Sequence, residues 1–354
     1  MGEGFKRIGW KNIALVAATA AFMWFLLFAP SPYVIYEPGI AAGTCSMVTM
    51  GPESNGEIPV MSNVENGAFL MTTVKLTDTN YWGAIRATWQ RDAEAMSKTN
   101  ILKGYTDQQY QQRMNVIMHG SQNDAIEAAY RFAHVPYHTV PAGVMVSSSS
   151  RSENGLLPGD SIIKAEAKEV AGLEDLAAVW RTKQAGNQVQ LTVLRNESEL
   201  DLTMSLEAFN GTLTKERLSL ALGGAQLSEY RELAPIDGNL ALSINAGEIG
   251  GPSAGLMFAL QSLDLLTDGD LTGGQIIAGT GTIDPTGKVG EIGGIGYKIV
   301  AAHQAGAKLF LAPAGNYEEA VKKAKRIRSS MQVVRVSTLK EAVVALEAVQ
   351  SAKS

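Results

Sequence analysis

The chain has 354 residues, which is enough for two or three compact domains of about 100 to 200 residues each. Its net charge of -5 gives no general attraction to phosphate, so we expect no nucleic-acid partner. Cys45 is the only cysteine, which excludes an intrachain disulfide and a cysteine-based zinc site. His134 and His138 have helical metal-pair spacing, but Pro136 interrupts the helix that would align them. We therefore predict neither a metal nor a cofactor.

An uncharged apolar run, residues 13–29, predicts one helix long enough to span a membrane. Because Lys6, Arg7 and Lys11 precede the run, the positive-inside rule predicts a cytoplasmic N-terminus and an extracellular remainder. The alternative is a cleaved signal peptide. The run is longer than the apolar core of such a peptide, however, and Pro30 leaves no clear cleavage site after it. We expect an uncleaved single-pass anchor.

The segment after the anchor is rich in proline and glycine, and residues 30–56 are predicted to form an extended linker or stalk. Residues 68–76 predict a buried strand, and residues 81–132 have helical periodicity. The methionines and aromatic residues of these helices are expected to serve in core packing. We interpret residues 1–37 as N-terminus, anchor and start of the linker, and residues 38–139 as an extracellular stalk with a helical and strand cap region.

Short strands replace the helical pattern from about residue 140, and a polar loop is predicted at residues 147–154. The pattern predicts strand, turn and strand, helix, and strand in this order: 143–146, 157–163, 173–183 and 188–194.

With its Leu-Pro-Gly-Asp turn at residues 157–160, the segment 140–208 resembles a PDZ domain. The resemblance implies binding of peptide ends by strand addition beside a carboxylate-binding loop at Pro141-Ala-Gly-Val144. Gly143, Val144 and Met145 are then the candidate peptide-binding residues. A small β domain without a ligand is the alternative.

In the last segment, residues 209–354, a predicted strand leads into a Gly-Pro-Ser-Ala-Gly turn and then into an apolar helix over 256–266. Ser253 is therefore expected at the start of a helix. The backbone amides of Gly251 and Ser253 are candidate donors to a negatively charged oxygen, assisted by the helix dipole. Taken alone, such a turn can equally be structural.

A β-hairpin is predicted across residues 276–292, followed by a helix over 293–306. Lys298 lies in the first turns of this helix among aliphatic residues. Such a lysine can extend its amine to solvent. If it is buried instead, its pKa falls and the neutral amine can accept a proton from a serine.

Ser253 and Lys298 occur in the order found in the Lon-type peptidase domain, and the glycine-rich run 287–294 between them completes the resemblance. The resemblance implies that Ser253 is the nucleophile and Lys298 the general base. It also makes Thr280 a candidate for a hydroxyl that orients the lysine. The cytoplasmic members carry an acidic residue three positions before the serine, where this chain has Gly250.

The whole arrangement is similar to the PDZ-containing, membrane-bound Lon-like proteases of Gram-positive bacteria. The fold class expected is a multi-domain α+β protein with one transmembrane helix, a cap region, a PDZ-like β domain and a Lon-type α/β proteolytic domain. The resemblance implies an ATP-independent serine endopeptidase that processes secreted or membrane-associated peptides and proteins at the outer face, and that assembles into a homo-oligomeric ring. The sequence contains no Gly-x-x-x-x-Gly-Lys-Ser/Thr loop for ATP. The alternatives are an inactive PDZ/Lon-fold scaffold that binds membrane partners, and another hydrolase, such as an amidase or a self-cleaving protein.

Overall fold

The computed structural model describes six stretches of the chain: residues 9–51, 67–148, 155–183, 187–195, 198–205 and 214–351. Several features of the sequence analysis lie outside these residues. They are Lys6 and Arg7, the end of the predicted linker, most of the predicted polar loop, and the boundary between residues 208 and 209.

The described residues combine helices and strands, which confirms the predicted α+β class. The helices are α1 Trp10–Phe28, α2 Tyr81–Ala87, α3 Lys98–Leu102, α4 Asp107–Phe132, α5 Leu173–Arg181, α6 Lys215–Ala221, α7 Gly255–Leu266, α8 Ile295–Gln304, α9 Tyr317–Arg326 and α10 Leu339–Ser351. The strands are β1 Pro30–Gly43, β2 Val48–Met50, β3 Ala68–Asn80, β4 Glu94–Ser97, β5 Tyr137–Ser148, β6 Ser161–Ala165, β7 Lys168–Glu169, β8 Gln188–Arg195, β9 Ser198–Ser205, β10 Gln226–Pro235, β11 Leu242–Ile244, β12 Ile276–Gly279, β13 Thr282–Ile283, β14 Val289–Gly290, β15 Leu309–Pro313 and β16 Gln332–Val336.

The chain divides into two compact units, and the first comprises the residues up to Ile40 together with Thr73–Gly104. Its α1 has 19 residues, none of them buried. Within the described stretches, α1 is the one helix long and apolar enough to cross a membrane. The expectation of an apolar N-terminal helix is thus confirmed.

The prediction of a linker over residues 30–56 is wrong for residues 30–43, which form β1. Four residues of β1, Tyr33–Tyr36, pair antiparallel with β4. Pro32 and Pro38 flank this paired stretch, so neither proline has to donate a hydrogen bond to β4. The prolines therefore restrict the pairing without preventing the strand.

The second unit comprises Ala41–Thr72 and Tyr105–Ser354. One of its layers contains β3, β12, β15 and β16, which are successive parallel neighbours. Both faces of this layer are buried, as is usual for parallel strands. Ile277 and Leu309 belong to one apolar core with α7 and α10, whereas Ala278 and Phe310 belong to another with α8 and α9.

A second sheet has the order β10-β5-β6-β8-β9, and β7 pairs with β6. It packs against α5 around a core that includes Ile162, Leu176 and Trp180. The carboxylate of Asp160, which is 1% exposed, accepts two hydrogen bonds from the Arg195 guanidinium at 2.7 Å. The elements β5, β6, α5 and β8 follow the order predicted for the PDZ-like segment.

Strand β5, which contains the predicted peptide-binding residues, is an inner strand of this sheet. Its whole length pairs antiparallel with β10, which lies outside the segment predicted as PDZ-like. On the other side, Val144 and Met145 pair with β6. Val144 and Met145 are therefore paired on both sides, which leaves no edge for an added strand there, whereas Gly143 pairs only with β10. Peptide binding by these three residues stays a prediction. The stretch Pro141–Val144, predicted as a loop, is part of the strand.

Candidate active site

Ser253 lies in a short 3-10 turn, Pro252–Ala254, that continues directly into α7. Pro252 occupies the first position of this turn, where its missing amide hydrogen leaves no unpaired donor. The preceding Gly251 has φ of 91°, a backbone conformation that favours glycine. The Gly-Pro-Ser sequence thus sets the chain direction that presents the serine at the start of the helix, as predicted.

Two donors fix the backbone of the serine. The carbonyl oxygen of Ser253 accepts a hydrogen bond from the Gly281 amide and another from the Thr280 hydroxyl, each at 2.9 Å. The hydroxyl of Thr280 thus donates its proton to the serine backbone, and its predicted role in orienting the lysine stays a prediction. Thr280 positions the turn that carries Ser253.

Lys298 lies on α8 with 3% of its surface exposed. Ile295 and Ala302 share its face of the helix at spacings of three and four residues, and both are buried. Packing of this apolar face therefore carries the lysine inward. Burial lowers the pKa of Lys298 from its usual value to about 8.

The Nζ atom of Lys298 lies 3.0 Å from the Oγ atom of Ser253. It also donates a hydrogen bond to the carbonyl oxygen of Thr72 on β3. Thr72 is itself buried, and its hydroxyl donates to the carbonyl of Gly279 on the neighbouring strand β12. The structure thus brings the two principal candidate residues into hydrogen-bond contact, with a strand carbonyl as the second partner of the amine.

Sequence reasoning missed the contribution of Thr72. The residue lies in the strand predicted at 68–76, but a backbone carbonyl has no residue-type signature. Its placement depends on the parallel pairing of β3 with β12, in which Met71 pairs with Gly279. That pairing joins segments about 200 residues apart and has no local pattern in the sequence.

Helix α4, which was predicted to belong to a cap region, packs directly against the loop before the serine. The amide of Gly251 donates to the carbonyl of Met114 at 3.0 Å. The Ser121 hydroxyl donates to the carbonyl of Pro252 at 3.1 Å. The predicted role of Gly251 as a free oxyanion donor is therefore wrong in this conformation, whereas the role of the Ser253 amide stays a prediction.

The same helix explains the glycine three positions before the serine. A Cβ atom added at Gly250 would lie 2.7 Å from the Cβ atom of Met114. An acidic side chain could therefore enter this position only if the helix moved. In the part of the chain that the structure describes, no group of three or more His, Cys, Asp or Glu side chains is placed to hold a metal ion.

Comparison with known families agrees with this geometry. Residues 240–349 match the model of the Lon protease (S16) C-terminal proteolytic domain. This segment is a Lon-type proteolytic domain. It includes both Ser253 and Lys298. Residues 121–206 match the PDZ domain model, so the PDZ match begins inside α4.

Relatives of the Lon-type proteolytic domain occur among bacteria and animals. A Lon protease of Campylobacter concisus is 40% identical over 100 residues, which cover 27% of this chain and 12% of the relative. A Lon protease of Syntrophus aciditrophicus is 30% identical over 159 residues, which cover 43% of this chain and 19% of the relative. The peroxisomal Lon protease homolog 2 of Caenorhabditis elegans is 32% identical over 140 residues, which cover 38% of this chain and 18% of the relative. The chain thus spans less than a fifth of the length of each of these relatives.

Among solved structures, the solution structure of GtR34C from Geobacillus thermodenitrificans matches with 26% sequence identity and a TM-score of 0.19. The match covers 20% of this chain and 83% of that one.

Proposed function

We propose that the chain is a membrane-anchored serine endopeptidase in which Ser253 is the nucleophile and Lys298 the general base. The observation that carries this proposal is the 3.0 Å contact between Lys298 Nζ and Ser253 Oγ inside a Lon-type proteolytic domain. The burial of the lysine supports it, because a base must be neutral to accept a proton. With a pKa of about 8, about a tenth of the lysines are neutral at pH 7.

The reaction follows from these positions. Ser253 Oγ attacks the scissile carbonyl carbon as its proton passes to the neutral amine of Lys298. The resulting ammonium then donates that proton to the leaving nitrogen, and the peptide bond breaks to leave an acyl-enzyme. Water, deprotonated by the same amine, hydrolyses the ester. Because the Thr72 carbonyl accepts one N–H of the amine, it restrains the direction of the lone pair toward Ser253.

The proposal places α1 across a membrane, with the N-terminus in the cytoplasm and both matched domains outside. Support comes from the unburied apolar surface of α1, from Lys6 and Arg7, which precede it in the sequence, and from Lys11 in its first turn. We expect cleavage of peptides and extended proteins without ATP. Assembly into a ring stays a prediction, which the native mass of the detergent-solubilised chain would test.

The test compares the full chain with Ser253→Ala and Lys298→Met in detergent or nanodiscs, using casein and a set of unstructured peptides. We expect the full chain to cut internal peptide bonds with or without ATP, and both variants to be inactive. Ser262→Ala is the matched control, because Ser262 is buried on α7, the helix that follows the Ser253 turn, and its hydroxyl has no hydrogen-bond partner among the described residues. Retained cleavage by either dyad variant, with products seen by mass spectrometry, would refute the proposal.

A further inference from the structure

The first unit carries an unusual helix face. On α2 and in the turn after it, Trp82, Ile85 and Trp89 follow helical spacing, and they are 41%, 41% and 72% exposed. The opposite face consists of small residues that are buried: Gly83, Ala84 and Ala87. A surface helix of a soluble domain normally has the reverse arrangement, with its apolar stripe inward. Such a stripe is what a helix lying against an apolar phase would present.

The two tryptophans form one continuous surface. Their rings meet edge to face with centroids 6.3 Å apart. Arg86 lies exposed on the same side of α2. Large aromatic rings next to a cation are typical of the boundary between lipid tails and headgroups, where the ring is sheltered and the charge stays near phosphate.

Contacts within the first unit fix the depth of this face relative to α1. Phe25, in the last turn of α1, stacks on Tyr81 at 5.1 Å between ring centroids. The side chain of Asn80 donates to the carbonyl of Leu27 and caps α2 by accepting from the amide of Gly83. Helix α2 is therefore held at the C-terminal end of α1. With 19 residues, α1 is about 28 Å long, close to the thickness of the hydrocarbon layer.

We propose that Trp82, Ile85 and Trp89 lie in the interfacial layer of the same bilayer that α1 spans, at the face where α1 ends. The inference rests on the anchoring role in the proposed function. Continuity with α1, none of whose residues is buried, favours lipid over a protein partner as the occupant. The stripe would then fix α2 as a second, shallow attachment beside the spanning helix.

The test uses tryptophan quenching in nanodiscs made with lipids brominated either near the headgroup or near the bilayer centre. The sequence has five tryptophans, so replacing Trp10, Trp24 and Trp180 with Phe leaves Trp82 and Trp89 as the emitters. We expect strong quenching, greater for bromine near the headgroup. A variant that keeps only Trp180, which is 3% exposed in the PDZ core, is the matched control and should be quenched little.

A variant that keeps only Trp24, on α1, separates the two possible failures. Quenching of Trp24 without quenching of Trp82 and Trp89 would overturn the interfacial stripe and leave the anchor intact. Absence of quenching at Trp24 would overturn the anchor and the stripe with it. Discs that hold two chains with Trp82 and Trp89 protected from both lipids would instead assign the face to a second copy.

Discussion

The pH dependence of cleavage tests the proposed base directly, because a lysine can accept a proton only in its neutral form. With a pKa of about 8, the neutral fraction of Lys298 is about 1% at pH 6, about half at pH 8 and about 99% at pH 10. The value of kcat/KM should therefore rise about 50-fold from pH 6 to 8 and only about twofold from pH 8 to 10. An exposed lysine, with a pKa of about 10.4, would give a rise of about 70-fold over the second interval.

The assay measures kcat/KM on a fluorogenic peptide with the full chain in detergent, at constant ionic strength. Samples held at each pH and returned to pH 8 show whether the protein has unfolded. Burial raises the pKa of Asp124 on α4 to about 6, so its titration falls at the acidic end and is separable from that of Lys298. A steep rise that continues to pH 10, or full activity at pH 5, would refute a buried lysine as the base. An active Lys298→Arg variant would do the same, since guanidinium stays protonated.

Three further results follow from the same contacts. Burial of the Lys298 charge lowers the free energy of unfolding by about 3 kcal/mol below pH 8, and this cost disappears as the pH rises from about 8 to about 10.4. Unfolding of Lys298→Met should therefore show a stability advantage over the parent that shrinks by about 3 kcal/mol between pH 7 and 10.5, and a constant difference would contradict the burial. Thr280→Val should lower kcat/KM about fivefold, the equivalent of about 1 kcal/mol, with the midpoint near pH 8 unchanged; a shifted midpoint would support its predicted role of orienting the lysine. Arg195→Ala should destabilise the PDZ domain by about 3 kcal/mol, because it leaves the buried Asp160 without its counter-charge. Lys164→Ala, from an exposed ion pair, is the control and should change the thermal midpoint little.

The candidate nucleophile and base could be found from the sequence because each is carried by a local pattern. Glycine and proline around Ser253 specify a tight turn into a helix, and the apolar spacing around Lys298 specifies a buried face. The hydrogen bond between the two side chains could not be derived from either pattern. It depends on the packing of α7 and α8 against opposite faces of the parallel layer.

The remaining contacts could not be predicted from the sequence, for a physical reason. The Thr72 and Met114 carbonyls act through the backbone, so the type of residue there gives no signal. The pairing of β10 with β5 joins a strand to a segment about 80 residues away, and family resemblance alone suggested an open edge. Resemblance predicted the domains, whereas long-range strand pairing and the packing of α4 decided which strand edges and backbone amides are free.

Helix α4 contacts both the serine turn and the PDZ sheet, and this restricts how the turn can move. Its 26 residues form a rod about 39 Å long, with Met114 against the turn in one half and Asp124 and Glu127 ion-paired to Arg231 of β10 in the other. An amide has a single hydrogen, so Gly251 can serve an oxyanion only after it leaves the Met114 carbonyl. If α4 moves to release that amide, its other half must carry β10 along or break both ion pairs. Through α4, the position of the PDZ sheet and the position of the serine turn therefore depend on each other.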